Sequence, residues 1–411
     1  MANNNLFSAL QTQLKEAAQS FTSWLSLSNA AKKIISETKE AISELKDVNT
    51  YLTQISKTNN SLSKSALEQL GNDSFEIASK YAKTATDYLS AVQKMSSAGY
   101  KNAESLAELS LAVQCAGDMT AELSDKYITA TDAAFNMNGS VDRLTETLDG
   151  ANNITNKNMV NMTDLAEAMS IVGSQAASSQ MKVDEITAAI GTMIAVTKNS
   201  GSEIGNAFKA ILMNLQQISG NALDGESIID AKSLSQYKKA CENLGVSLYT
   251  VKNGAASLKE PMQILKELSV EYTKLSESDI KRENLLSAVG GENRANALNA
   301  ILENYSLYEK MLTDYATGTG SMAREAEKAV NTWEGSLNRL SNTWTDTIGN
   351  IADSDVIITA INGLNGLLTA VNNITGALGP LASIGLGAGL FAGLKNVGRV
   401  NCYPSYRICL Q

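Results

Sequence analysis

Apolar positions recur at helical spacing along most of this chain, and the clearest case is the stretch 161–220, which predicts three short helices joined by tight polar turns. Asn161, with Asp164 three residues on, opens the first helix close to a capping box, and Leu165, Ala168, Met169 and Val172 line one face. Small polar residues from Gly173 to Ser179 end it. The second begins near Val183-Asp184-Glu185, with acids in the first turn where the helix dipole favours them, and repeats Ile186, Ala189, Ile190, Met193 and Ile194. Asn199-Ser200-Gly201 stops it. Ser200 and Glu203 then cap a third helix, whose stripe Ile204, Ala207, Phe208, Ile211, Leu212, Leu215 stops at Ser219-Gly220. Gly205 and Ala207 beside that stripe predict close approach to a neighbouring helix.

Before this trio, Leu6 to Ile55 contains neither proline nor glycine, and a heptad frame runs through positions 10, 14, 17, 21 and 24 and on to 52 and 56. Ser28, Thr38, Asn49 and Ser56 interrupt it. The pattern predicts a coiled-coil-like helix over 1–60; the alternative is one amphipathic helix packed back on the same chain. A polar hinge, Thr58 to Ser61, precedes a helical run to Ala98, broken at Gly99-Tyr100. Further helices are expected at Ala103 to Cys115, Met119 to Phe135, Val141 to Leu148 and Asn152 to Asn158. Short helices rich in small residues bury too little area singly, so 61–245 reads as one helical domain.

Beyond Gly220 a polar loop through Glu226 leads to an expected helix, Ile228 to Asn243, and then the period changes. Val246, Leu248 and Thr250 alternate with Ser247, Tyr249 and Val251, and Asn253-Gly254 is a turn signal, so a small β-hairpin opens the next domain, 246–320. Pro261 falls in the first turn of a helix running to about Leu275. Helices from Asp279 to Val289 and Asn293 to Tyr315 are split by Gly290-Gly291. The domain 321–395 reads as one or two long helices, with Trp333 and Trp344 on one side. The chain ends in an irregular tail, 396–411, whose VNCYPSYRICLQ departs from the preceding pattern and suggests a truncated or frame-shifted end. The fold class is therefore mainly all-α with one small hairpin.

Val356 to Leu394 holds no charged residue, and Ile374 to Leu394 is about the length that crosses a bilayer. That segment supports two readings. The spacing Gly385-x-x-x-Gly389 and Gly389-x-x-x-Gly393 and the following Lys395, Arg399 and Arg407 suit a membrane helix. Its glycines and Pro380 equally suit a segment buried among copies of the chain.

The runs VDEITAAIGTM and NSGSEIGNAFKAIL resemble the core of phage tail tape-measure proteins of the TP901 type. Asp184-Glu185 match the family's acidic helix start, Ser200-Gly201-Ser202 its small-residue turn, and Gly205-Asn206-Ala207-Phe208-Lys209 its G-x-A-hydrophobic-basic run. The likeness extends more loosely from Phe75 to Trp344, including Ala288 to Asn304 and Thr317 to Lys328; family members are usually longer. The resemblance implies a structural virion protein, made in the host cytoplasm and held in the tail lumen, that sets tail-tube length and leaves ahead of the DNA. Its implied partners are tail-tube protein rings, tail-assembly chaperones, its own copies as a helical oligomer, and the host membrane.

Composition and charge narrow the chemistry. The net charge of -9 argues against a phosphate-wrapping surface, and no sequence-specific nucleic-acid partner is expected. The start Met-Ala-Asn-Asn-Asn carries no signal-peptide pattern, and four scattered cysteines lack a C-x-x-C pair, so Cys115 and Cys241 read as small buried residues. The chain contains no histidine, which excludes the usual serine or cysteine triads and histidine-bearing metal sites. Gly318-x-Gly320-x-x-Ala323 and Gly387-x-Gly389-x-x-Ala392 match a dinucleotide fingerprint only formally, since neither follows a strand. Asp184-Glu185 and Asp353/Asp355 read as helix starts and solvated faces. No catalytic residue, cofactor or metal is assigned, and an enzyme is not expected. The competing reading is a membrane-active helical protein, a pore-former or secreted effector, inserting through 374–394.

Overall fold

The computed structural model describes residues 27–332, apart from 60–61, 219, 222–227, 230 and 253–254, together with 338, 341–342 and 345–346. The front of the N-terminal helix, Trp333, Trp344, the apolar segment 374–394 and the tail 396–411 lie outside these residues. Two units divide the chain, Met1–Thr50 with Leu340–Gln411, and Tyr51–Arg339. In the first, Leu45 and Val48 are buried and the Thr345 hydroxyl donates to Glu44 at 2.9 Å.

The expected N-terminal helix appears as α1 (Leu27–Thr58). At its end the heptad frame is off by one position. Val48 and Ile55 are buried in place of the polar Asn49 and Ser56, because the apolar neighbour in each pair gains more by leaving water. In the second unit Leu52 sits so close to α2 (Lys64–Lys80) that a Cβ on Gly71 would stand 3.0 Å from it. This end of α1 packs back on its own chain.

The single run expected to Ala98 is two helices, α2 and α3 (Ala85–Ser97). Thr84 divides them. Its hydroxyl accepts the Asp87 N–H at 3.2 Å while the Asp87 carboxylate accepts the Thr84 N–H at 2.9 Å, and Ala82 turns the chain at φ +54. α4 (Ala103–Gly117) and α5 (Ala121–Phe135) follow as expected, each closed by a left-handed residue, Asp118 and Asn136. Two helices expected either side of Gly150 are one, α6 (Val141–Lys157). A Cβ at Gly150 would stand 2.7 Å from the Tyr315 ring. Packing this half-buried ring on the helix offsets the ~1 kcal/mol that a mid-helix glycine costs.

The trio matches its reading closely as α7 (Met162–Ser178), α8 (Val183–Thr197) and α9 (Gly201–Leu215). Asn161 accepts the Asp164 N–H at 2.7 Å, and Ser200 with Glu203 forms a full capping box. The sequence shows only one apolar stripe on α8, yet every residue from Ile186 to Ile194 is buried. Its hydroxyls stay satisfied within the helix, Thr187 donating to the Val183 carbonyl and Thr192 to that of Ala188. Such a helix must be surrounded. α6, α7, α9 and two later helices enclose it.

After α9, Gly220–Asn221 (β1) pairs antiparallel with Ile228–Ile229 (β2), where a loop and a helix start were expected, and α10 (Ala231–Asn243) begins later. The expected hairpin is present as β3 (Tyr249–Lys252) and β4 (Ala255–Leu258). α11 (Pro261–Tyr272) has proline at its first position, and α12 (Ile280–Ala288) ends before Gly290 and Gly291, both at positive φ. The long helix expected from Asn293 to Tyr315 is broken at Asn304 into α13 (Glu292–Glu303) and α14 (Tyr305–Ala316). The Asn304 side chain turns back to the Ala300 carbonyl at 2.9 Å, the local bond by which asparagine competes with helix continuation. α15 (Ser321–Val330) completes the described helices. α13 packs on α8 and α9, α14 on α8 and α6, and α15 on α4 and α6. The fold is mainly all-α, with two small two-stranded sheets among the described residues.

Candidate functional site

Three glycines set the spacing of the central helices. Gly205 lies where a Cβ would meet the Ala168 Cα at 2.9 Å and the Ile171 Cβ at 3.1 Å, so α9 touches the backbone of α7. Ala207, two residues on, is buried. Gly201 is closer still, with the Asp164 carbonyl 2.1 Å from the position of its absent Cβ. Gly191 in α8 admits the Met311 sulfur of α14 in the same way. The close approach expected of Gly205 is therefore present, between α9 and α7.

A polar seam joins α6 to the turn between α14 and α15. Asp149, buried, accepts the backbone N–H groups of Gly320 at 2.6 Å and Met322 at 2.9 Å, so its carboxylate caps the start of α15 from another helix. Asn152 donates to the Ser321 hydroxyl at 2.7 Å, and Asn153 to the Asp314 carbonyl. Asp314 receives Lys310 at 2.7 Å, Asn158 at 3.1 Å and Lys157 at 3.5 Å. Burial would raise the Asp314 pKa, but the hydrogen bonds from Lys310 and Asn158 and the two lysine charges outweigh it and hold the carboxyl below its ordinary value.

Gly318 lies against the α6 backbone, where a Cβ would come 2.7 Å from the Asp149 carbonyl oxygen, and Gly320 is the left-handed residue before α15. Gly318-x-Gly320 thus follows a helix, and the helix start that a phosphate would need is occupied by Asp149. Asp184 and Glu185 cap α8, Glu185 accepting the Lys182 N–H at 2.9 Å. Cys115 and Cys241 are buried and unpaired. Burial pushes the Cys115 thiol up, and the Cys241 thiol up to about 12, leaving both poor nucleophiles. Among the described residues no three cysteine or acidic side chains gather into a metal-binding group. No described helix is long and apolar enough to cross a membrane.

The geometry is that of a helical scaffold in which Gly201, Gly205 and Gly318 each bring one stretch of backbone against another. A family model described as phage-related minor tail protein matches residues 66–291, more than half of the chain. The chain belongs to this family. It is a phage tail protein, and the family supports a structural role in the tail. No solved structure matches the chain. The matched stretch runs from α2 to the glycine pair ahead of α13, and so covers the trio together with the Asp149 side of the seam.

Asp149, Asn152, Asn153, Asp314 and Ser321 did not stand out in the sequence, because their partners lie 161 to 173 residues away. A weaker signal was available. Asp149, Asn152, Asn153 and Asn156 recur at helical spacing on one face, and asparagines are poor helix formers that need a reason to sit there.

Proposed function

We propose that this structural tail protein is a tape measure of the TP901 type, setting tail-tube length and leaving the tube ahead of the DNA. What carries the reading is a breaker-free helix attached to a packed helical module of a phage tail family. The helix Leu27–Thr58 holds 32 residues without glycine or proline, a length of roughly 48 Å at 1.5 Å per residue. The match of Asp184-Glu185, Ser200-Gly201-Ser202 and the run Gly205 to Lys209 to the tape-measure pattern supports the finer assignment within the broader family. In this role the protein lies in the tail lumen against tube rings, meets tail-assembly chaperones during synthesis, and associates with its own copies. The segment 374–394 then meets the host membrane on delivery.

The test is tail length by electron microscopy in phage carrying a deletion of residues 14–41. That removes four heptads of the sequence frame, which correspond to ~42 Å at the helical rise, and leaves Leu45, Val48, Leu52 and Ile55 in place. Tails shortened by about that length are expected. Tails of normal length would overturn the ruler.

A further inference from the structure

Among the described residues the β3–β4 hairpin has no third strand paired to it. Its register pairs Tyr249 with Leu258, Thr250 with Ser257 and Val251 with Ala256, and the Lys259 N–H bonds the Leu248 carbonyl at 2.9 Å. Pairs in an antiparallel ladder alternate between bonded and non-bonded, so the backbone groups of Tyr249 and Val251 face outward along one edge, and those of Ala256 and Leu258 along the other. The β3 edge is blunted. The Ser247 hydroxyl accepts the Tyr249 N–H at 3.1 Å and donates to the Tyr249 carbonyl at 3.0 Å. Among the described residues β4 has no such cover, and Ala256, Ser257 and Leu258 are all exposed.

The side chains point the same way. Tyr249, Val251, Ala256 and Leu258 share one face, with Val251 70% and Leu258 37% exposed, although a lone two-stranded hairpin is marginal in water and gains from further strands. We propose that β4 pairs antiparallel with β4 of a second copy of this chain, making a four-stranded sheet across a two-fold axis. The strand is self-complementary. Setting Ser257 opposite its own copy pairs Ala256 with Leu258 of the second copy, which brings the outward-facing backbone groups together and merges the two apolar faces. Ala255 falls opposite Lys259 of the second copy, so no like charges meet. A contact of this size buries less than the ~1,200 Å² of a standard interface, so it joins copies already held side by side rather than building a tight free dimer. The proposal goes beyond the ruler reading, and for the copies held side by side it rests on the self-association proposed with that reading.

The test is disulfide cross-linking of the full chain with Cys402 and Cys409 replaced by serine. Opposed positions on paired strands bring their Cβ atoms within disulfide reach. Ser257→Cys should form a linked dimer at least tenfold faster than Val251→Cys, which is also exposed but on the blunted strand. Adding Ala256→Lys with Leu258→Lys sets like charges opposite each other and should abolish that advantage. Ala256→Lys with Leu258→Glu sets opposite charges in the same register and should restore it. Equal cross-linking of Ser257→Cys and Val251→Cys, or a rate indifferent to these charges, would overturn the pairing.

Discussion

The backbone N–H of Gly201 donates to the Asp164 carboxylate at 2.8 Å, while the Asp164 carbonyl occupies the space where a Gly201 side chain would begin. One residue therefore caps α9 and fixes how closely its end approaches α7. Gly201→Ala should force the two helix starts apart and lower stability by ~1–3 kcal/mol, and Gly205→Leu should do the same further along the contact. Thermal unfolding followed by circular dichroism measures both, with Ser202→Ala as an exposed neighbour that should leave the midpoint within a degree or so. Wild-type midpoints for both glycine variants would refute backbone-to-backbone packing.

Asp149→Ala leaves the half-buried N–H of Gly320 and the buried N–H of Met322 without their acceptor. The expected loss is ~1–3 kcal/mol, concentrated at α15. Hydrogen exchange locates it: amides of residues 320–330 should exchange faster while α8 keeps its protection. Uniformly faster exchange would mean that the seam holds the whole bundle rather than its last helix.

Asp314 gives the seam a pH dependence with a definite sign. Its folded pKa lies below the ordinary 3.8, so the stability it contributes is present above that pH and is lost as pH falls through the folded value. Asp314→Asn should lower stability at neutral pH by up to about 1 kcal/mol, since the half-exposed Lys310 and Lys157 lose a carboxylate but regain water, and should narrow the gap from wild type below pH 4. Urea unfolding at pH 7 and pH 3.5 checks this. A gap that widens in acid would place the titration elsewhere.

Helices were legible where a cap and an apolar stripe coincided. Asn161 with Asp164, Ser200 with Glu203 and Pro261 each open a helix where the sequence marks it. What escaped depended on distant parts of the chain. Gly150 reads as a break until Tyr315 is laid over it, and Asn304 reads as one more polar helix position until its side chain turns on Ala300. The Thr84-x-x-Asp87 box is a short local start signal inside a run whose apolar spacing reads as one helix. The close contacts of the trio were readable from Gly205, whereas the seam needed residues more than 160 positions apart.

The family match stops at residue 291, but the folded unit does not. α13 and α14 cover α8 and α9, and Leu298, Ile301 and Met311 are fully buried there. A fragment of residues 51–291 should bind hydrophobic dyes and aggregate, whereas 51–332 should melt cooperatively. A monomeric, cooperatively melting 51–291 fragment would show that these helices are an accessory layer.

The enclosure of α8 sets a timetable for synthesis. Thr192 and Met311, which meet in the core, are 119 residues apart in the chain. At ~5–20 residues per second, the ribosome takes roughly 6–24 s to deliver α14 after α8 has emerged. Throughout that interval the nascent chain carries an apolar helix with one side uncovered. In a cell making many copies at once, those intervals overlap, and the open sides of neighbouring chains compete with α14 for the same surface. A holding partner acting on the growing chain would be needed only until residue 316 is out, and could then be displaced by the protein's own last helices.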